Sequence, residues 1–483
     1  MFLDGPGGSG KSTVINLVMI YAQQFCELLE HPFTKNTIVI TAMSGVAATL
    51  LHGQTTHSSC CLYRKPSTED MNAWRDMRML VIDEISFGSK EDFENLDKKL
   101  RFLKHNFDAR YGGIHIIFAG DFRQLDPVGK DPVHVSGCQR FIDWVNCYIE
   151  LDGMHRFTDD IEWGRLLMRF QNGTVTVQDI QRINERCVNN DEILPTGIQY
   201  ASYDNKTRDR MNTEVFEQYV KDYTEKNSRP PPDAVLIFMD ELYREDACKV
   251  KQPIRSKKTF WENCGESDIF TGRQKPRLDP VLKLFYQCPL MLTHNSNVTS
   301  GQANGTCALL EKILVKPGEV PFSVRMEDGT TIKGLLASQV DELQLRHCDS
   351  SIAPARFCLT AERFSFRANW PIPANLQFAP GRRGFTPTET IQMHGQQFPC
   401  VLNHATTGHK LQGKTVTNIY VCNWNYTSNW VYVVLSRVKQ RKGLYLRTKL
   451  DSNTTRYAKP HSLKRMMQKF KAKESDYPDS HKL

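Results

Sequence analysis

A glycine-rich segment near the start of the chain has the residue types and spacing of a phosphate-binding loop. Gly5-Pro-Gly-Gly-Ser-Gly-Lys11-Ser12-Thr13 fits the pattern G-x-x-x-x-G-K-[ST]. Glycines let successive backbone N–H groups face phosphates, and the helix that follows adds its positive end. We expect Lys11 to reach the β- and γ-phosphates and Ser12 to hold Mg²⁺. The predicted nucleotide-binding residues are Gly5, Gly7, Gly8, Ser9, Gly10, Lys11, Ser12 and Thr13.

Two adjacent carboxylates end a later apolar run. Met79-Leu-Val-Ile-Asp83-Glu84 has the pattern of a buried strand with acidic residues at its tip. In a sheet of parallel strands that tip lies at the carboxyl edge, where ligands bind. We expect Asp83 to hold Mg²⁺, and we expect Glu84 to orient and deprotonate a water that attacks the phosphate.

The elements around these residues alternate between strands and helices. Strand-like runs occur at 2–4, 37–41, 79–82 and 114–119, and Val14 to Leu29 has helical spacing. Continuous β-branched runs between helices are typical of a parallel sheet that is covered on both faces. The sequence therefore predicts an α/β fold.

The bulk composition is that of an ordinary globular protein. The 483 residues are 40% hydrophobic and 24% charged. The formal net charge of +8 favours a polyanionic partner. No apolar run approaches the roughly 18 residues that a membrane-spanning helix needs, and no secretory signal is visible. The 14 cysteines show no C-x-x-C pair and no zinc-ligand spacing, which favours free thiols in a reducing compartment.

Several further motifs follow in a fixed order. They are Thr41-Ala-Met-Ser-Gly45-Val-Ala-Ala, Gly53-Gln-Thr-Thr56-His57-Ser, Gly120-Asp-Phe-Arg-Gln124-Leu-Asp-Pro-Val, His155-Arg156-Phe, Ala405-Thr406-Thr407-Gly-His409-Lys-Leu-Gln-Gly413 and Tyr432-Val-Val-Leu-Ser-Arg437-Val. Together they resemble the elements of the Pif (petite integration frequency) DNA helicases, a superfamily 1B group related to RecD. Several of these motifs are also similar in sequence to those of the Helitron transposon helicases, a branch of the same family.

The resemblance implies a fold and an activity. It implies two RecA-like P-loop NTPase lobes with parallel sheets, a small β-rich, SH3-like insert in the second lobe, and ATP with Mg²⁺ as cofactors. Gln124 would sense the γ-phosphate, Arg437 would act as an arginine finger, Arg156 would be a second positive contact, and Gly413 would lie at the nucleotide. The expected enzyme is an ATP-dependent DNA helicase that translocates 5′ to 3′ and unwinds duplexes.

The resemblance also implies where DNA binds and where the protein works. The expected DNA contacts are Thr41, Gly45, Thr56, His57, Thr406, Thr407 and His409. For His57 and His409 the alternative is a structural hydrogen bond. The expected partners are single-stranded DNA and duplex junctions, with no membrane, for a monomeric motor. Expected roles are DNA repair, recombination and telomere maintenance, in the nucleus or the mitochondrion of a eukaryote.

The predicted domain organisation combines the motifs with composition. Residues 1–150 form the first lobe, 151–222 a helical connection that carries Arg156, and 286–450 the second lobe with its insert at about 313–398. Residues 223–285 are a polar, basic insertion or linker, either a solvated surface or a DNA contact, and 451–483 are a basic, disordered tail.

Some positions depart from the family pattern. Gly408, Leu411 and Asp126 stand where the family usually has a larger residue, Ser and Pro. The chain also begins almost at the phosphate loop, without the upstream glutamine that reads adenine in this family, so we expect a fragment. Two alternatives stay open: the helicase part of a Helitron-type transposon protein, and a truncated, inactive remnant that binds nucleic acid.

Overall fold

The computed structural model describes residues 1–136, 138–189, 192–245, 251–253, 279–371, 388–427 and 429–473. Contacts divide the chain into two compact units, 1–203 with 407–483, and 204–406. None of the helices in the described ranges is long and apolar enough to cross a lipid bilayer.

The first unit begins with a six-stranded sheet in the order β3-β2-β4-β5-β1-β6. Its strands are β1 (Phe2–Asp4), β2 (Ile38–Ala42), β3 (Gln54–Thr55), β4 (Met79–Asp83), β5 (His115–Gly120) and β6 (Tyr148–Glu150). All neighbouring pairs are parallel. The strands predicted at 37–41, 79–82 and 114–119 are confirmed within one residue at each end, because their apolar runs are buried on both faces.

Helices flank this sheet. They are α1 (Lys11–Leu28), α2 (Gly45–Leu50), α3 (Thr56–Ser59), α4 (Thr68–Trp74), α5 (Lys90–Leu103), α6 (Val133–Ser136) and α7 (Gln139–Trp144). Capping boxes begin α4 and α5, at Ser67 with Asp70 and at Ser89 with Asp92. Helix α1 begins without a side-chain cap, which leaves its first N–H groups free to meet an anion.

A second parallel sheet in the same unit contains β7 (Gln199–Ser202), β22 (Ile419–Val421) and β23 (Leu444–Leu446). The helices around it are α8 (Ile161–Asn172), α9 (Val177–Asn184), α11 (Gly408–Leu411) and α12 (Trp430–Leu435). The chain thus forms two parallel α/β sheets, as the family resemblance implies.

The other unit carries long α10 (Asn205–Asn227) and mostly antiparallel strands around its own apolar core. Its strands are β8 (Val235–Phe238), β9 (Asp240–Glu245), β10 (Lys251–Pro253), β11 (Val281–Leu284), β12 (Pro289–Leu292), β13 (Cys307–Val315), β14 (Phe322–Arg325), β15 (Thr331–Leu336), β16 (Val340–His347), β17 (Arg356–Leu359), β18 (Glu362–Pro371), β19 (Thr388–Gln397) and β20 (Cys400–Leu402), and β21 (Ala405–Thr407) ends it.

This division differs from the predicted one. The β-rich part is a unit of 204–406 rather than an insert at 313–398, because the buried run Val235–Phe238 from the predicted linker pairs with β11 and β15. The basic cluster predicted between Lys249 and Arg277 lies mostly outside the described residues. The SH3-like character of the β-rich part stays a prediction.

The expectation of a disordered tail is wrong for its middle part. Helix α13 (His461–Lys471) buries Leu463, Met466, Met467 and Phe470 in the core of the first sheet. Its basic residues lie on the opposite face, and for that reason the composition alone suggested a solvated tail. The spacing of the apolar residues, by contrast, matches one buried face of a helix.

Candidate active site

The phosphate loop has the shape that the sequence predicts. Gly8 and Gly10 adopt φ of 89° and 94°, a left-handed conformation that favours glycine. The Lys11 ammonium donates to the carbonyls of Gly5 at 2.6 Å and Pro6 at 3.0 Å, so it lies folded into the loop. The hydroxyl of Ser9 is buried and has no hydrogen-bond partner. The loop therefore contains polar groups that a bound phosphate would satisfy.

The two carboxylates lie at the end of β4. Asp83 is buried, and its Oδ1 has no hydrogen-bond partner. Burial and then the charge of Glu84 raise the pKa of Asp83 to about 7, against the opposing effect of Lys11. Glu84 itself sits in a left-handed turn at φ 53°. The predicted pair thus places one buried and one accessible carboxyl group beside the lysine.

The buried oxygen of Asp83 fits a cation. Mg²⁺ takes oxygen ligands, commonly one or two carboxylates together with phosphate oxygens and water. Ser12, at the start of α1, is exposed and offers the hydroxyl that the sequence predicts for this role. Among the described residues no group of three or more His, Cys, Asp or Glu side chains is arranged to hold a metal. A cation here would depend on Asp83, Ser12 and a nucleotide.

A buried ionic network supports the loop that carries Gln124. The guanidinium of Arg123 contacts the carboxylates of Asp4, Asp121 (3.1 Å) and Glu150 (3.0 Å). Burial raises the pKa of Asp4 to about 7, although the charge of Arg123 lowers it. Because Asp4 ends β1 directly before the phosphate loop, Arg123 ties the two loops together.

Arg156 and Arg437 both abut the phosphate loop. A Cβ placed on Gly7 would lie 3.0 Å from Nη1 of Arg156 and 3.3 Å from Nη2 of Arg437. The Arg437 guanidinium donates to backbone carbonyls, including Val433 at 2.7 Å, and to the Ser436 hydroxyl at 2.6 Å. Arg156 donates to the Ser436 carbonyl at 3.2 Å. Their hydrogen bonds therefore go to neutral groups, while the charge of Glu84 acts on both guanidiniums.

The proximity of the two arginines has an electrostatic consequence. Burial, and then the charge of Arg156, lower the pKa of Arg437 to about 9. Burial also lowers the pKa of Arg156. Two desolvated cations next to each other repel, and a bound polyanion would stabilise their charged forms.

Gln412 is a site residue that the sequence analysis did not assign. Its amide donates to Glu84 Oε2 at 2.8 Å and to the Ser86 hydroxyl at 3.2 Å, and its carbonyl accepts from the Leu125 N–H at 3.3 Å. The neighbouring Gly413 has φ of 80°, and a Cβ on it would lie 3.6 Å from Glu84 Oε1. The motif that contains Gly413 was the signal that could have identified Gln412.

The structure explains the three departures from the family pattern. A Cβ on Gly408 would lie 2.3 Å from Nε1 of Trp430, so glycine is required by the packing. Leu411 is buried in the apolar core of the second sheet. Asp126 forms a hydrogen bond of 3.1 Å with His134. Each of these three residues thus fits its surroundings in the fold.

The predicted DNA contacts in the first half of the chain fall into two groups. The Thr41 hydroxyl donates to the Val81 carbonyl at 2.9 Å, and the Thr56 hydroxyl donates to Thr41 at 3.0 Å. Both side chains are buried, so the prediction of DNA contact through them is corrected to a role in positioning their loops. Gly45, at the start of α2, and His57 are partly exposed.

His57 belongs to a small surface cluster. It forms a hydrogen bond of 3.3 Å with Asp92, as the structural alternative expected, and its ring stacks on Tyr63 with centroids 5.8 Å apart. Lys130 donates to the Tyr63 hydroxyl at 2.8 Å. Although burial raises the pKa of Asp92, the hydrogen bonds from His57, Ser89 and Tyr63 lower it overall. The cluster presents stacked rings and a cation at the surface.

The remaining predicted DNA contacts follow β20. Thr406 is buried, and its hydroxyl has no hydrogen-bond partner. Thr407 and His409 are partly exposed. Burial lowers the pKa of His409, and Asp126 opposes this change. A neutral imidazole at this position is suited to hydrogen bonding rather than to ion pairing.

Comparisons with known proteins find similarity to PIF1 helicases. A family model described as PIF1-like helicase matches residues 1–149. The ATP-dependent DNA helicase PIF1 of Candida albicans is 23% identical over 487 aligned residues, which cover 92% of this chain. The chain spans about half the length of that relative, since the alignment covers 52% of it.

Solved structures share the fold. The crystal structure of Pif1 helicase from Candida albicans matches with a TM-score of 0.64 and 19% identity, over 99% of this chain and 95% of that one. Pif1 helicase from Bacteroides, in complex with ADP-AlF3 and ssDNA, matches with a TM-score of 0.57 and 21% identity, over 98% and 93%. The chain is thus similar to PIF1-like helicases in the sequence of residues 1–149 and shares its fold with solved Pif1 helicases.

Proposed function

We propose that the chain is the motor portion of an ATP-dependent DNA helicase. The observation that carries the proposal is the pair of guanidiniums of Arg156 and Arg437, which face the phosphate loop and are held by neutral groups. A bound triphosphate would place its negative charge beside these two arginines. Guanidiniums in this position neutralise the charge that spreads over a transferring phosphoryl group.

The proposed chemistry assigns one role to each remaining side chain. Lys11 leaves its loop carbonyls to hold the β- and γ-phosphates, and Gln124 senses the γ-phosphate. Glu84 orients the attacking water and takes its proton, while Gln412 fixes the carboxylate of Glu84. Mg²⁺, held by Ser12 and Asp83, would supply positive charge that stabilises the leaving phosphates.

The proposed work of the motor is translocation along single-stranded DNA from 5′ to 3′, with unwinding of duplex junctions. Gly45, His57, Thr407 and His409 are the proposed DNA contacts. The complex of the Bacteroides relative with ssDNA supports this substrate. We extend the proposal to a monomeric motor that acts in DNA repair, recombination or telomere maintenance in the nucleus or the mitochondrion.

The test is ATP hydrolysis with and without a single-stranded oligonucleotide, on the wild-type chain and on Lys11→Ala. We expect hydrolysis that requires Mg²⁺, that rises severalfold with the oligonucleotide and that is lost in Lys11→Ala. Absence of hydrolysis in the wild-type chain overturns the proposed motor. Hydrolysis that ignores DNA overturns the helicase assignment and leaves a nucleotide hydrolase.

A further inference from the structure

The loop Gln124-Leu125-Asp126 is held at three consecutive residues by partners outside the loop, two of which are 305 and 287 positions away in the chain. The Gln124 carbonyl accepts from Asn429 Nδ2 at 2.9 Å. The Leu125 N–H donates to Gln412, as described above. Asp126 forms a hydrogen bond with His134. The position of Gln124 therefore depends on groups outside its own strand and loop.

Asn429 is itself fixed by Lys459. The Lys459 ammonium donates to Asn429 Oδ1. Asn429 sits in a left-handed conformation, φ 59°, at the start of α12, so its backbone is constrained as well. Both polar atoms of its side chain are thus engaged, with the oxygen accepting from Lys459 and the nitrogen donating to Gln124. Asn429 therefore makes the position of the Gln124 backbone depend on the position of Lys459.

The backbone of Lys459 packs closely against the end of α8. A Cβ on Gly173, the C-terminal cap of α8, would lie 2.8 Å from the Lys459 backbone nitrogen. The Lys459 side chain is almost fully buried, and its ammonium lies 5.8 Å from the centroid of the Tyr432 ring. This packing leaves the ammonium little freedom to choose another partner.

The same C-terminal segment makes a second link to the loop. Ser462, at the start of α13, forms a hydrogen bond of 3.2 Å with His134 Nδ1, whose other nitrogen contacts Asp126. Two chains of hydrogen bonds therefore run from residues 459–462 to the two ends of the Gln124–Asp126 loop. Neither chain passes through the phosphate loop or through Glu84.

We infer that Lys459 is a positioning residue for ATP hydrolysis, which acts through Asn429 to hold Gln124 where it can sense the γ-phosphate. The inference rests on the proposed function, because it needs the γ-phosphate as the object that Gln124 reads. Lys459 would not touch the nucleotide. Its loss should therefore affect the response to a triphosphate and the rate of hydrolysis more than the binding of a diphosphate.

Two single variants remove different hydrogen bonds of the series that runs from Lys459 through Asn429 to Gln124. Lys459→Met keeps the length of the side chain and removes the donor to Asn429. Asn429→Asp keeps the acceptor for Lys459, tolerates the left-handed backbone and replaces the donor to Gln124 by a carboxylate oxygen that cannot donate. Asn453→Asp is the matched control, because Asn453 is exposed and uses its side-chain oxygen to accept from Thr455, which aspartate can also do.

The measurement is the kcat and KM of ATP hydrolysis, together with the affinities for ADP and for a non-hydrolysable ATP analogue. For both variants we expect kcat to fall about 10-fold, the KM for ATP and the affinity for ADP to change less than about threefold, and the preference for the analogue over ADP to shrink. The double variant should lose no more than either single variant, because both cut the same chain. Asn453→Asp should behave as the wild type.

The outcomes separate the inference from the function on which it rests. No hydrolysis by the wild-type chain overturns the proposed function and this inference with it. Wild-type hydrolysis with an unchanged kcat in Asn429→Asp overturns the inference alone. Parallel losses of ADP and ATP affinity would also overturn it, since they indicate general damage to the fold rather than a displaced Gln124.

Discussion

The side-chain amide of Gln412 donates a hydrogen bond of 2.8 Å to the Glu84 carboxylate, although the two residues are 328 positions apart in the chain. Glu84 comes from the end of β4 in the first sheet, while Gln412 follows α11 beside the second. The general base proposed at Glu84 needs its carboxylate in one orientation, and the hydrogen bond from Gln412 fixes that orientation. The proposed hydrolytic site therefore draws residues from both sheets.

Replacing Gln412 with alanine should therefore slow ATP hydrolysis. The variant leaves Glu84 without its orienting donor, and we expect kcat to fall about 10-fold while KM stays within about threefold. Steady-state hydrolysis at saturating oligonucleotide is the measurement. Gln218→Ala, on the exposed face of α10, is the control, because the Gln218 amide donates a hydrogen bond to Asp222 within the same helix. A wild-type kcat in Gln412→Ala would contradict the role given to this contact.

Arg437→Lys tests the geometry of the guanidinium apart from its charge. Lysine keeps one positive charge but loses the planar fork that reaches Val433, Leu411 and Ser436 together. We expect single-turnover hydrolysis to slow by about 100-fold or more, which is less than the roughly 10³- to 10⁵-fold effect of a whole arginine finger because lysine keeps the charge. Arg441→Lys, at a more exposed arginine that binds Glu185, should change the rate less than about twofold. Equal rates in the two variants would remove Arg437 from the mechanism.

His57→Ala tests the proposed DNA surface. If a base stacks on the His57 and Tyr63 rings, the loss should cost about 1 kcal/mol, which is roughly fivefold in the affinity for single-stranded DNA. Fluorescence anisotropy of a labelled oligonucleotide at fixed salt measures it. His31→Ala, at an exposed histidine beyond the end of α1, should leave the affinity unchanged. Were both variants to bind DNA like the wild type, His57 would retain only its hydrogen bond to Asp92.

Phe470→Ala tests the contribution of α13 to the fold. Phe470 is fully buried, and its ring lies 5.0 Å from the Phe2 ring and 6.0 Å from the Tyr148 ring. Removing it should lower the free energy of unfolding by about 3 to 5 kcal/mol. Urea denaturation provides the value. Phe107→Ala is the control, because Phe107 is 55% exposed and should cost less than about 0.5 kcal/mol. Similar stabilities of the two variants would show that α13 is loosely attached.

The buried ammonium of Lys459 predicts a pH dependence of stability. Burial, and then the charge of Arg123, lower the pKa of Lys459 to about 7, while Asp121 and Asp126 raise it. In the unfolded chain a lysine titrates near 10.4. From roughly pH 7 to pH 10 the folded chain therefore releases a proton that the unfolded chain still holds, and the free energy of unfolding should rise with pH.

Comparison with Lys459→Met isolates this effect from all other titrations. The stability of the wild type relative to Lys459→Met should increase between pH 7 and pH 9, because only the wild type carries the penalty of a buried charge at the lower pH. Urea denaturation at the two pH values measures the difference. A constant difference across this range would mean that the Lys459 pKa is the same in the folded and unfolded chains.

The amino-acid sequence by itself determined the chemistry of the site and the sheet that carries it. The phosphate-loop pattern, the acidic pair after an apolar run and the β-branched strands are local features, read from residues a few positions apart. Their local structure agrees with the prediction because each strand is buried on both faces and each loop follows directly from a strand end. Lys11, Asp83 and Glu84 could be named on that basis, whereas Gln124 and Arg437 were named from the resemblance to the Pif helicases.

The tertiary structure alone decided which of those residues meet and what supports them. Thr41 and Thr56 proved to be buried partners of each other, and α13 proved to be part of the first core. The links from Gln412 to Glu84 and from Lys459 through Asn429 to Gln124 join residues that are adjacent only after the chain has folded. Periodicity and spacing report on neighbours within a turn or a strand, whereas contacts between residues hundreds of positions apart depend on how the sheets and helices pack.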